Sequence, residues 1–192
     1  MSKVLNTIRD EHRSLAAILH GMEYLMNDVR TRNTKIDLRV FRAMLYYLDT
    51  FAERMHHPKE DRYLFAAMRR HGAEAESIVA ELEREHAGGD EALRRLEQYL
   101  VRYEEGGERE FPDFSRAVGD FVRDYWQHLR KEEDQAFPLA EKLLTQADWD
   151  AIDRAFAENL DPLAAERDTQ DFQKLFTRIV NLAPPPIGVG PS

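Results

Sequence analysis

His56-His57-Pro58-Lys59-Glu60-Asp61 sets a histidine four residues ahead of a glutamate. On an α-helix four residues climb about one turn, ~6 Å, so the two side chains leave the helix on the same side. The pattern returns at His128-Leu129-Arg130-Lys131-Glu132-Glu133. An imidazole and a carboxylate on one helix face, twice in one chain, are the parts of a metal site.

The flanks of both strings are helical. Ahead of His56, apolar residues fall at Val40, Phe41, Met44, Leu45, Leu48, Phe51, Ala52 and Met55, and Tyr63, Leu64 and Ala67 continue the stripe. The second string follows Phe114, Val118, Phe121 and Tyr125 on a helix opening near Pro112, where a missing amide hydrogen does no harm. A helix from Ser2 to about Arg32 carries His12 on its apolar stripe. A third, from about Ala73 to Tyr103, carries His86 among Val79, Leu82, Leu93 and Leu96. Asn33 to Asp37, His71-Gly72 and Glu104 to Phe111 read as connections. Gly88-Gly89, costing about 1 kcal/mol per glycine against alanine, marks either a break in the third helix or room for a neighbouring helix or small ligand.

The offsets disclose a duplication. His56 to His128 and Glu60 to Glu132 each span 72 residues, and His12 to His86 spans 74; Glu11-His12 echoes Glu85-His86, and Phe65-Ala66 echoes Phe137-Pro138. The unit is a helical hairpin with one histidine on its first helix and His-x-x-x-Glu on its second. Two such hairpins with short connections predict an all-α, antiparallel up-down four-helix bundle, whose core receives four histidines and two glutamates at one level. Such groups cost several kcal/mol to bury without partners, so their convergence requires a cation or a dense hydrogen-bond network.

Composition narrows the chemistry. The 192 residues, 43% hydrophobic and 33% charged, suit a helix-rich globular chain, and no stretch approaches the ~20 apolar residues of a membrane span. The early residues lack a signal-peptide core, so a cytoplasmic location is expected, with no membrane partner. A net charge of -9 argues against nucleic-acid binding and suits a protein that handles cations. With no cysteine, thiol nucleophiles and iron-sulfur clusters are excluded, and any metal must sit on nitrogen and oxygen. Four histidines with two glutamates fit iron or manganese and do not exclude zinc. The count suggests two ions sharing both carboxylates, with an oxo or hydroxo bridge and an open position for dioxygen, nitric oxide or peroxide.

The strings Glu11-His12-Arg13, HHPKEDRYLF from His56 to Phe65, Glu85-His86, and HLRKEEDQAFP from His128 to Pro138 resemble the hemerythrin-like, HHE cation-binding family over roughly Met1 to Leu144. The resemblance implies a non-haem di-iron centre carried by His12, His56, Glu60, His86, His128 and Glu132. It also implies a function in oxygen or iron sensing, in stress response, or in an enzymatic peroxide-consuming or iron-centre repair activity. The dioxygen-carrying members have a second histidine one turn after the third-helix histidine. Here that position is Asp90, which favours redox or iron-handling chemistry over reversible dioxygen carriage.

Other residues are read more plainly. Asp61 and Glu133, five after their histidines, are turned ~140° from them on an ideal helix, against ~40° for Glu60 and Glu132. They are set aside as ligands, and His57 is assigned to the surface. His20 reads as a core-edge or gate residue and His71 as a helix C-terminal cation. Tyr125 and Tyr63 read as core tyrosines with the option of lining the pocket, and Asp124 as a solvated acid or an acceptor for His128. Pro58 removes an amide from the second helix and predicts a kink. Beyond residues 1–144, a helical extension over 145–183 opens at Thr145 and contains a fifth helix and a short sixth, with Phe156, Phe172 and Phe176 expected to be buried against the bundle or in a homodimer contact. Residues 184–192 form a Pro/Gly tail. A third reading is a structural or partner-binding bundle.

Overall fold

A computed structural model describes residues 3–32, 35–158 and 174–181 of the chain, and all its regular structure is helical, with no strand among the described residues. The first helix, Lys3–Arg32, ends on Arg30 and Arg32, cations placed favourably at the negative end of the dipole. Asp37 caps the second run, its carboxylate accepting from the Arg39 amide at 2.9 Å. That run continues from Leu38–Tyr47 through a π-helical segment, Leu48–His56, a single α turn, His57–Lys59, a second π segment, Glu60–Phe65, and a last α turn, Ala66–Arg70. Pro58 therefore does not break the helix. It lies between two wide π turns that absorb the missing amide and the crowding of the ring.

Gly72, at φ +138°, makes the next reversal. The third helix, Ala73–Gly106, runs through Gly88-Gly89 without interruption, so the glycines mark room and not a break. It also outlasts the predicted turn: the reversal is made at Gly107, φ +68°, followed by a short 3-10 turn, Gly107–Glu110. The fourth run opens at Phe111–Lys131 with Pro112 in its first turn, passes through a π segment, Glu132–Ala136, and closes as Phe137–Leu143. The π segments beginning at Glu60 and Glu132 lie at the 72-residue offset, so the duplication extends to this departure from α geometry.

Two apolar clusters sandwich the polar residues. One joins Leu15 to Val29 of the first helix, Val40 to Ala52 of the second run, Leu93 to Tyr103 of the third and Phe114 to Leu129 of the fourth. The other joins Val4, Leu5 and Ile8 with Leu64 to Met68, Ala75 to Leu82 and Ala136 to Leu144. Each run thus carries its histidine between the clusters. Phe41 and Phe114 on one side, and Phe65 and Phe137 on the other, are completely buried. At roughly 1.5–3 kcal/mol per buried large side chain, these layers offset the cost of a polar middle.

A further helix, Gln146–Glu158, is opened by reciprocal bonds: the Asp148 amide donates to the Thr145 hydroxyl at 3.3 Å, and the Thr145 amide to the Asp148 carboxylate at 2.9 Å. It buries Ile152 and Phe156 in the second cluster, sets the Phe156 ring 5.7 Å from Tyr63, and its Asp153 accepts from the Val4 amide at 3.2 Å. Residues 174–181 form the helix expected near Phe176, which packs on Tyr47 while Ile179 is buried in the first cluster. Phe172 and the tail at 184–192 lie outside the described residues.

Candidate metal centre

The polar layer has one centre. His12, His56, Glu60, His86, His128 and Glu132, assembled from all four runs, are buried, with both glutamates at 0% exposure. Glu60 directs Oε1 at His12 Nε2, 3.9 Å away, and Oε2 at the Nε2 atoms of His56 and His86, 3.6 and 3.7 Å away. Glu132 sets Oε2 3.2 Å from His12 Nε2 and Oε1 3.5 and 3.4 Å from His86 and His128 Nε2. Each carboxylate therefore spans from the His12 side to the His86 side. Both carboxylates are thus shared between imidazoles of the two hairpins.

What points the imidazoles inward is a ring of acids at their other nitrogens. The Nδ1 of His12 meets Glu133 at 2.8 Å, that of His56 meets Glu11 at 2.7 Å, that of His86 meets Asp61 at 2.7 Å, and that of His128 meets Glu85 at 2.9 Å. A carboxylate at Nδ1 holds the proton there and leaves the Nε2 lone pair facing the centre, the usual preparation of a metal-binding histidine. The pattern follows the duplication: Glu11 and Glu85 each precede a first-helix histidine, and Asp61 and Glu133 each follow a shared glutamate. Asp61 and Glu133 are thus not ligand rivals. The wider π turns swing the residue after each glutamate toward the neighbouring hairpin, where Asp61 reaches His86 and Glu133 reaches His12.

The centre is under electrostatic tension. Burial and the adjacent Glu132 charge push the Glu60 carboxyl well above the usual range. Burial would raise Glu132 too, but the His128 charge and the nearby imidazoles of His12 and His86 hold it well below. Burial opposes protonation of His12 and His86, yet the adjacent Glu132 carboxylate, together with the hydrogen-bonded Glu133 for His12 and the hydrogen-bonded Asp61 for His86, raises both to about 9. Burial lowers His56. Two carboxylates this close cannot both ionise at low cost without a cation. The Nε2 atoms of His12 and His56 and all four carboxylate oxygens of Glu60 and Glu132 are buried without a hydrogen-bond partner. Cations would satisfy those atoms, and the nitrogen and carboxylate donors suit iron or manganese.

His57 corrects the sequence reading. It is buried, not on the surface, its ring stacked 4.1 Å from His86 and edge-on 5.3 Å from His128. The centre contains two groups whose donor atoms lie within 4.8 Å of one another: His12, His56, Glu60 and Glu132, and His57, His86 and His128. The missed signal was the duplication itself, because 72 residues beyond His57 stands Leu129, which is buried and therefore inward.

Tyr125 is buried with its hydroxyl 3.4 Å from His57 Nε2, whereas Tyr63 packs on Phe156. Asp124 pairs with Arg123 at the surface, and His128 finds its acceptor in Glu85. His20 is exposed and lies against Trp126, and His71 pairs with Asp148 at 2.8 Å. A cavity of about 400 Å³ reaches His57, His86 and His128 from the side of the third and fourth helices, with Gly88, Gly89, Phe121 and Tyr125 among its walls.

Fold and site define the chain as an all-helical protein with a buried histidine and glutamate cluster suited to cations. The profile of the hemerythrin HHE cation binding domain matches residues 3–140, and the chain belongs to that family. No curated protein and no solved structure matches it significantly. Among the described residues, no helix is long and apolar enough to cross a membrane.

Proposed function

We propose that this chain is a non-haem di-iron protein whose two ions are held by His12, His56, Glu60, His86, His128 and Glu132, and that it binds dioxygen, peroxide or nitric oxide in oxygen or iron sensing or stress response. The observation that carries this reading is the set of six orphaned buried atoms, two imidazole nitrogens and four carboxylate oxygens, facing one another with every neighbouring Nδ1 already committed. The bundle that holds them is antiparallel and up-down: each apolar cluster takes the late part of one helix with the early part of the next. Residues 1–144 are the unit of this reading, and beyond them Gln146–Glu158 and residues 174–181 pack on it.

Bound iron would supply redox chemistry and open coordination positions for a small ligand. The chain's own residues do the rest. Glu60 and Glu132 span both positions, and Glu11, Asp61, Glu85 and Glu133 fix the tautomers of the histidines. The apolar layers above and below exclude bulk water. The cavity at His86 and His128 leaves a second reading, an enzyme that consumes peroxide, because it opens these histidines to a small substrate from the side of the third and fourth helices. Iron-loaded protein titrated with nitric oxide, azide and hydrogen peroxide tests both readings by absorption spectroscopy and turnover. Spectral shifts that disappear in Glu60→Ala are expected. Iron-loaded protein that gives no spectral response to any of the three would defeat the ligand-binding function, and saturable shifts without peroxide turnover would defeat the enzyme.

A further inference from the structure

His57 has no counterpart in the other hairpin, where Leu129 occupies the matching position. Asp90, at the place where the third helix would offer another nitrogen, points away from the centre, with 59% of its side chain exposed and Arg94 3.7 Å away. The His86 and His128 side would otherwise hold an ion with two imidazoles, and His57 is stacked directly against that pair. Its Nδ1 lies 3.3 Å from the Glu53 carboxylate, whose side chain is 6% exposed. All four histidines described above share this carboxylate-on-Nδ1 arrangement, which leaves Nε2 for a cation. That Nε2 lies 3.4 Å from the Tyr125 hydroxyl.

Gly89 explains how Glu53 can stand there. A Cβ on Gly89 would collide with the Glu53 carboxylate, so the third helix offers no ligand at Asp90 but a gap that seats the acid orienting His57. We propose that His57, from the second helix, supplies the third nitrogen to the ion held by His86 and His128, which makes the two metal positions unequal: three imidazoles at one and two, His12 and His56, at the other. The proposal rests on the two-ion reading above. Glu53 acts as a positioning residue, Gly89 gives it room, and Tyr125 is displaced from His57 Nε2 when the ion binds.

The full chain loaded anaerobically with cobalt(II) tests this by metal analysis and visible absorption, since cobalt d–d bands respond to the coordination number and ligand field of each ion. Wild type is expected to bind two ions per chain with distinct affinities. His57→Ala and His57→Gln are expected to weaken one ion by at least tenfold and shift its bands while the other ion is retained. Glu53→Gln should weaken the same ion by about 10–100-fold. Free imidazole, admitted through the cavity that touches His57, should restore the lost bands in His57→Ala, and it has no reason to do so if His57 only packs. Two ions with unchanged affinities and bands in both His57 variants would overturn the assignment while leaving the two-ion reading intact. A wild-type chain that takes up only one ion overturns the two-ion reading, and the His57 assignment falls with it if that ion's affinity and bands are indifferent to His57→Ala.

Discussion

Asp61 shows how a single residue is recruited by geometry that the helix around it controls. On an ideal helix it faces away from His56, and in the structure it bonds His86 Nδ1 at 2.7 Å from across the hairpins. Asp61→Asn is expected to leave the fold intact and weaken iron binding by about 10–100-fold, measured by competition with a chelator. Unchanged affinity would mean that Asp61 does not fix the tautomer of His86. The raised values of His12 and His86 give a pH signature. Both move from an ordinary 6.5 to about 9, so in metal-free protein they contribute stability that is complete below pH 6.5 and lost as pH rises through 9. The thermal midpoint of metal-free protein should fall across that window, and iron loading, which must displace those protons, should abolish the fall and tighten as pH rises. A metal-free midpoint that climbs from pH 6.5 to 9 would contradict the account.

The elements explain what could be read from sequence and what could not. The apolar stripes, the two His-x-x-x-Glu strings and the 72-residue echo were sufficient for four helical runs and for the six residues that meet between them. The π segments were not legible, because nothing in Leu48–His56 or Glu60–Phe65 departs in composition from an ordinary amphipathic helix. An ideal turn sends His57 a quarter-turn from His56. A wider turn separates neighbouring side chains less, which lets both histidines face the core. The Gly88-Gly89 pair remained ambiguous because a glycine in a helix records only a missing side chain, and the neighbour that uses the gap lies on another helix.

These adjacent glycines carry opposite expectations. A Cβ on Gly88 meets nothing within 4 Å, and Gly88 lines the cavity. Gly88→Leu should stabilise the chain by about 1 kcal/mol through helix propensity and slow azide access without changing metal content. Gly89→Ala gains the same propensity but drives a Cβ into the Glu53 carboxylate, so it should lower stability or loosen the ion near His57. Thermal melts and stopped-flow ligand binding separate the two, and similar behaviour of both variants would contradict this account of the third helix.

At the scale of the whole molecule, the polar centre is tolerable because apolar layers close it on both sides and the C-terminal segments add to both. Gln146–Glu158 reinforces the cluster of Val4, Phe65 and Phe137, and residues 174–181 reinforce the cluster of Phe41 and Phe114. If this extension is a clamp on the bundle and not part of the centre, Phe156→Ala should cost about 3 kcal/mol in denaturant unfolding with iron stoichiometry unchanged. Loss of iron in that variant while it remains folded would place the extension within the site. The central claim is the paired metal centre itself. Its most direct test is metal analysis of protein purified anaerobically with iron supplied: two iron ions per chain are expected in the wild type, falling sharply in Glu60→Ala, whereas less than one bound metal per chain in the wild type would contradict the account.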